Sequence, residues 1–158
     1  MGTMAPKKSN RASKILLTVL LLFLSPIVVV TVLFYLAWGA ILYLAIWLTH
    51  KKSFIIFIYS DSPIWKDYME QEILPQIQDH AVILNWSERR KWKSSLAVLA
   101  FQYFGGYRNF NPIAMVFRPF HIVETYRFFE AFKEFKRGDR KKVEEIKSEL
   151  FDTLRRMS

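Results

Sequence analysis

The chain has 158 residues, with 23 Lys and Arg against 14 Asp and Glu, a net charge of +9 and no cysteine. The missing cysteines exclude disulfides, thiolate nucleophiles, dithiol redox chemistry, Cys-ligated zinc and iron–sulfur clusters. His50, His80 and His121 lie far apart, with no second ligand type at metal-site spacing, which argues against a transition-metal centre.

Residues 1–14 are polar and basic, carrying Lys7, Lys8, Arg11 and Lys14 and no acid. They read as a disordered leader that signals topology, with attraction to anionic lipid as the second reading. From Ile15 to Leu48 there is then no charge at all. A helix needs about 20 apolar residues to cross a hydrocarbon core of about 30 Å, and one Lys or Arg at mid-bilayer would cost about 3 kcal/mol. Residues 15–50 are therefore read as a membrane anchor. As one helix the run would be about 50 Å long, more than one crossing needs and less than two. Pro26 offers a division: it removes one backbone bond and kinks the axis, and Ser25 can satisfy a freed carbonyl. The preferred reading is one kinked span, roughly Ile27 to Leu48, with Trp38, Tyr43 and Trp47 toward the headgroup layer. A hairpin turning at Ser25–Pro26 or at Gly39 is the alternative. A cleaved signal peptide fits poorly, because its apolar core is about 7 to 15 residues and ends in small residues.

The cations ahead of the run favour a cytoplasmic N-terminus. A single span would then put the following domain outside, and a hairpin would put it inside. Lys51 and Lys52 on the other flank keep the bias small.

Residues 51–158 suffice for one small domain with one core. Ser53–Tyr59 is a β-branched and aromatic run without alternation, as expected of a strand buried on both faces. Ser60–Asp61–Ser62–Pro63 caps a helix over Ile64–Ile77, whose inner face is Trp65, Met69, Ile73 and Ile77 and which Pro75 kinks or ends. Ala81–Leu84 reads as a second buried strand. Ser87 reads as the N-cap of a long helix reaching Phe104, ended by Gly105–Gly106. Ile113–Phe117 is a third two-sided strand, introduced by Asn111–Pro112. His121–Phe128 is an edge strand antiparallel to it. The end of the chain reads as helical: Phe128–Lys136 forms a first piece, Gly138–Asp139 breaks and recaps it, and Val143, Ile146, Leu150 and Leu154 carry an amphipathic stripe to the terminus.

This order, strand, helix, strand, helix, strand, strand, helix, resembles the thioredoxin-like fold over Ser53–Leu150. Ser60–Asp61–Ser62–Pro63 stands at the strand-to-helix junction where that superfamily keeps its active-site motif. Pro75 falls late in the first helix, where thioredoxins often carry a kinking proline, and Asn111–Pro112 stands at the place of the family's cis-proline. The motif's two cysteines are absent. The resemblance thus implies a mixed four-stranded sheet of order 2-1-3-4 on a scaffold used for binding or stability rather than redox work.

Ser60, Asp61 and Ser62 form one candidate ligand site, at the end of the first strand where open α/β sheets place ligands. They would hold a phosphate or carboxylate, or Asp61 would act as a base or magnesium ligand. A simple helix cap accounts for the same residues. Arg89, Arg90, Lys91 and Lys93 form a second cluster, in the first turns of the expected long helix, where the macrodipole disfavours cations. A lipid headgroup, a phosphate or an acidic partner would offset that, and a solvated face is the plainer account. Aromatic residues make up 16% of the chain, more than one small core can hide. Tyr107, Arg108 and Phe110, with Phe128, Phe129 and Phe132, are the expected partner-contact residues.

No P-loop, GxSxG, HExxH or glycine fingerprint is present, and neither cofactor nor metal is expected. A basic chain invites nucleic acid, but no recognition module is recognisable, so the expected partners are the bilayer and membrane-protein subunits. The expected function is that of a membrane-anchored, non-redox accessory or assembly subunit of a larger membrane complex. The alternative is a membrane-bound enzyme acting on an anionic or phosphorylated substrate.

Overall fold

The computed structural model describes residues 9–50, 54–106 and 111–157, with side chains from residue 13 onward. The chain divides into two compact units, Met1–Ala40 and Ile41–Ser158.

Helix α1 (Ser9–Thr49) contains Pro26 and continues through Gly39, so no hairpin turn forms at either place. It also takes in Ser9–Ser13, which composition alone assigns to a disordered leader. Apolar side chains from Ile15 to Leu36 are exposed, and the stretch Ser13–Thr49 is long and apolar enough to cross a membrane. The Thr18, Ser25 and Thr31 hydroxyls bond to carbonyls of the helix itself. Thr18 donates to the Lys14 carbonyl at 2.9 Å and Thr31 to the Ile27 carbonyl at 2.8 Å. Ser25 donates to the Leu22 carbonyl at 3.2 Å, the acceptor that Pro26, lacking an N–H, leaves open. In hydrocarbon such internal satisfaction is what a polar group needs.

The second unit begins in the last turns of α1 and is built on a four-stranded sheet of order β2-β1-β3-β4. Strand β1 (Phe54–Tyr59) pairs parallel with β2 (Ala81–Asn85) and antiparallel with β3 (Ile113–Phe117), which pairs antiparallel with β4 (Glu124–Arg127). The central strands β1 and β3 are buried throughout, as their unalternating apolar sequences require. Strand β2 lies at an edge and is only half-buried, with Val82 exposed, so the expectation of a second buried strand does not hold. An apolar run resembles a central strand whether one neighbour or two flank it. The Asn111–Pro112 peptide ahead of β3 is cis.

Side chains alternate to two cores, one on each face of the sheet. Ile55, Phe57, Tyr59, Ala114 and Val116 meet Met69, Ile73, Ile77, Phe128, Phe132, Val143 and Leu150 on one face. The helical elements on that face are α2 (Lys66–Tyr68), a π turn (Met69–Ile73), α3 (Leu74–Ile77), α5 (Phe129–Phe135) and α6 (Lys141–Arg155). The π turn answers how Pro75 is accommodated. Pro75 has no N–H and its ring crowds the carbonyl four residues back, and the chain widens so that the Leu74 N–H reaches the Met69 carbonyl. On the other face Phe54, Ile56, Ile58, Ile113, Met115 and Phe117 pack with Ala97, Ala100 and Phe101 of α4 (Leu96–Phe104) and with Ile46 of α1.

Helix α4 is shorter than its apolar spacing predicts. Trp86–Lys91 is instead a 3-10 turn, and Ser95, not Ser87, caps the helix by accepting the Val98 N–H at 3.3 Å. The reason lies in two tryptophans: Trp86 and Trp92 pack edge to face at 5.7 Å, each within 6.1 Å of the Phe101 ring. A continuous helix would carry Trp86 and Trp92 to different sides of its axis.

Candidate functional site

Tyr59 and Asn85 are register partners in the parallel pair β1–β2, so the residues that follow them emerge side by side at the carboxyl ends of the strands. There the Asp61 N–H donates to Ser87 Oγ at 3.0 Å, and the Asn85 amide donates to Asp61 Oδ1 at 3.1 Å. Lys66 Nζ lies 3.3 Å from the same carboxylate. Asn85 Oδ1 accepts the Ser87 N–H at 2.9 Å and so starts the 3-10 turn. The structure thus gathers Ser60, Asp61 and Ser62 with Asn85, Ser87 and Lys66.

Each predicted residue is engaged locally. Ser60 Oγ accepts the Trp65 indole N–H at 3.2 Å, and Ser62 Oγ accepts the Ile64 N–H at 3.4 Å. The Asn85 amide, and then Lys66, hold the Asp61 carboxyl below its ordinary range, and Asp61 in turn raises Lys66. Such a carboxylate stays ionised at neutral pH and cannot act as a proton donor there. Nearby, Tyr59 donates to Glu70 Oε1 at 3.2 Å, and burial followed by that carboxylate pushes its phenol up. Among the described residues, no group of three or more His, Asp or Glu side chains is arranged to hold a metal ion.

The basic cluster takes a different setting from the one its sequence suggests. Arg89, Arg90 and Lys91 occupy the last turn of the 3-10 segment, where the exposed carbonyls favour cations. The expected conflict with a helix N-terminus therefore does not arise for Arg89, Arg90 and Lys91. Arg89 lies over the Trp86 ring at 5.0 Å, and Lys91 pairs with Glu88 at 2.8 Å. Arg90 and Lys93 are exposed.

Of the aromatic residues expected at a partner surface, Phe128 and Phe132 are fully enclosed in the core and have no surface to offer. They belong to the packing against Trp65, Tyr68 and the sheet, because α5 lies on the sheet face and not at its rim. Phe129 is half-buried, beside Trp65 at 6.0 Å and under Lys133 at 4.9 Å. Tyr107, Arg108 and Phe110 lie outside the described residues.

A further cluster is not legible in the sequence. The segment between β3 and β4 begins with a turn over Arg118–Pro119–Phe120–His121, closed by the His121 N–H on the Arg118 carbonyl at 3.2 Å. Phe120 has φ +60°, which places Pro second and a left-handed residue third, as in a type II turn. The Tyr43 hydroxyl faces the carbonyls of Arg118 and His121, the latter at 2.7 Å. Arg118 pairs with Glu124 at the start of β4. Phe120 is 86% and Ile122 90% exposed, and the Phe120 ring meets Trp47 edge-on at 5.1 Å. The Arg–Pro pair marks a strand end in the sequence, but nothing local encodes an aromatic residue at positive φ.

No family model, curated protein or solved structure matches the chain.

Proposed function

We propose that this chain is a membrane-anchored, non-redox domain of thioredoxin-like topology that serves as an accessory or assembly subunit of a larger membrane complex. The observation that carries the reading is Ile46. It sits in the same charge-free run that suits a bilayer, yet it is 3% exposed and packs in the cluster of Phe54, Ile56 and Phe117 on the sheet. The last turns of the helix that carries the apolar run thus give one side, Leu42 and Ile46, to the domain.

Three features support the rest of the reading. The strand order β2-β1-β3-β4, with β4 antiparallel at an edge, is the one the thioredoxin-like resemblance implies. The motif position between β1 and α2 is filled by Ser60, Asp61 and Ser62, whose hydrogen bonds close the turn where the redox members carry thiols. The exposed cations Arg90 and Lys93 suit an anionic surface, whether headgroup or acidic subunit.

The test is purification of the tagged full chain from its native membrane in mild detergent, followed by a native gel and mass spectrometry. Stoichiometric co-migration with membrane-protein subunits is the expected result. A lone folded monomer would overturn the subunit reading.

A further inference from the structure

We infer that the turn Arg118–His121 and the following Ile122 form a second membrane contact, inserted into the interfacial layer of the bilayer beside the end of α1. This rests on the reading of α1 as a membrane helix. Phe120 and Ile122, at 86% and 90% exposed, are the most exposed large apolar side chains among the described residues, more so than any on α1. Phe120 lies beside the last turns of α1, where Leu44, Trp47 and Leu48 are also exposed and the Trp47 ring touches it at 5.1 Å. The charge-free run ends at Leu48, with His50, Lys51 and Lys52 behind it. Trp47 therefore belongs at headgroup depth, where indole rings concentrate, and a ring in contact with it shares that depth.

The backbone supports a built feature. A bulky residue at positive φ is disfavoured, and glycine is the ordinary occupant of that turn position. Here Phe120 holds it at φ +60°, with the Tyr43 hydroxyl set against the carbonyls on both sides of the turn. The occupant is lipid, because the neighbouring surface is the apolar helix end that already requires it.

The absence of cysteine allows single-site labelling. Val30→Cys, Ile122→Cys and Glu145→Cys, each in the full chain, would carry a nitroxide in vesicles of phosphatidylcholine with a minor fraction of phosphatidylglycerol. Relaxation by oxygen and by a water-soluble nickel complex reports depth. Val30→Cys is expected deep, Glu145→Cys aqueous, and Ile122→Cys several-fold higher in oxygen-to-nickel accessibility than Glu145→Cys. A buried label at residue 30 with an aqueous one at 122 would overturn the inference alone, and would leave that surface to a protein partner. An aqueous label at residue 30 would overturn the membrane reading and this inference with it.

Discussion

The Trp92 indole N–H donates to the Asn85 backbone carbonyl at 3.1 Å, tying the end of the 3-10 turn back to the residue that opens it. The turn closes at Lys91, and α4 starts only after its own cap at Ser95. Ser95→Ala should therefore cost about 1 kcal/mol through the lost cap. Ser94→Ala, at an exposed neighbour, should stay within about 0.5 kcal/mol. Thermal unfolding of the two variants in the same detergent checks the difference; equal midpoints would contradict the assigned cap.

Ile46→Ala should destabilise the domain by about 2 to 5 kcal/mol, as expected for a large-to-small change in a core. Leu48→Ala, at a residue 66% exposed, should leave the domain's unfolding unchanged. Denaturant titration monitored by tryptophan fluorescence separates them.

Gly105 stands where a Cβ would meet the Phe101 ring and the Phe101 carbonyl at 2.6 Å. Gly105→Ala should cost about 1 to 3 kcal/mol by overpacking. The expected readout is a lower unfolding midpoint with little change in helix content.

Tyr68 donates to Glu144 Oε1 at 2.8 Å, and burial followed by that carboxylate raises its phenol well above the ordinary value. The folded state thus holds this proton more tightly than the unfolded one. The corresponding stability is fully present below about pH 10 and is lost as pH rises through the folded value. The unfolding midpoint should fall above about pH 10, and Tyr68→Phe should make that fall shallower. Identical alkaline limbs would exclude Tyr68 as a contributor.

Asp61→Ala should leave association with partner subunits intact, whereas Arg89→Glu with Arg90→Glu should weaken membrane or partner binding, with a smaller effect at high salt. Co-purification across a salt series measures both. Lost association on Asp61→Ala alone would return the β1–β2 end to candidacy as a binding site.

Much of the fold is legible because its signals are local and periodic. The runs at Phe54–Tyr59 and Ile113–Phe117 identify the central strands, and Val143 and Leu150 mark the buried stripe of α6. Ser25 beside Pro26 is readable for the same reason, since a hydroxyl one residue before proline is placed to serve a freed carbonyl. What fails depends on distant partners. Trp92, Leu96, Leu99 and Tyr103 repeat like one helix face, yet Trp92 is drawn to Trp86 and Phe101. Phe128 and Phe132 resemble a contact surface until α5 is laid on the sheet. The candidate site is legible in its residues but not in its pairing, because the Asn85 amide and Ser87 hydroxyl reach Asp61 across two strands.

The last turns of α1 belong by composition to the apolar run and by packing to the sheet domain. By composition, Leu42, Tyr43 and Ile46 belong with the anchor, but Leu42 and Ile46 are each 3% exposed and Tyr43 holds the β3–β4 turn. A cut at the end of the charge-free run would therefore part Leu42, Tyr43 and Ile46 from the domain, taking Ile46 out of the cluster that α4 also covers and freeing the β3–β4 turn from the Tyr43 hydroxyl. The fragment that begins after Leu48 should thus unfold at lower denaturant than the full chain.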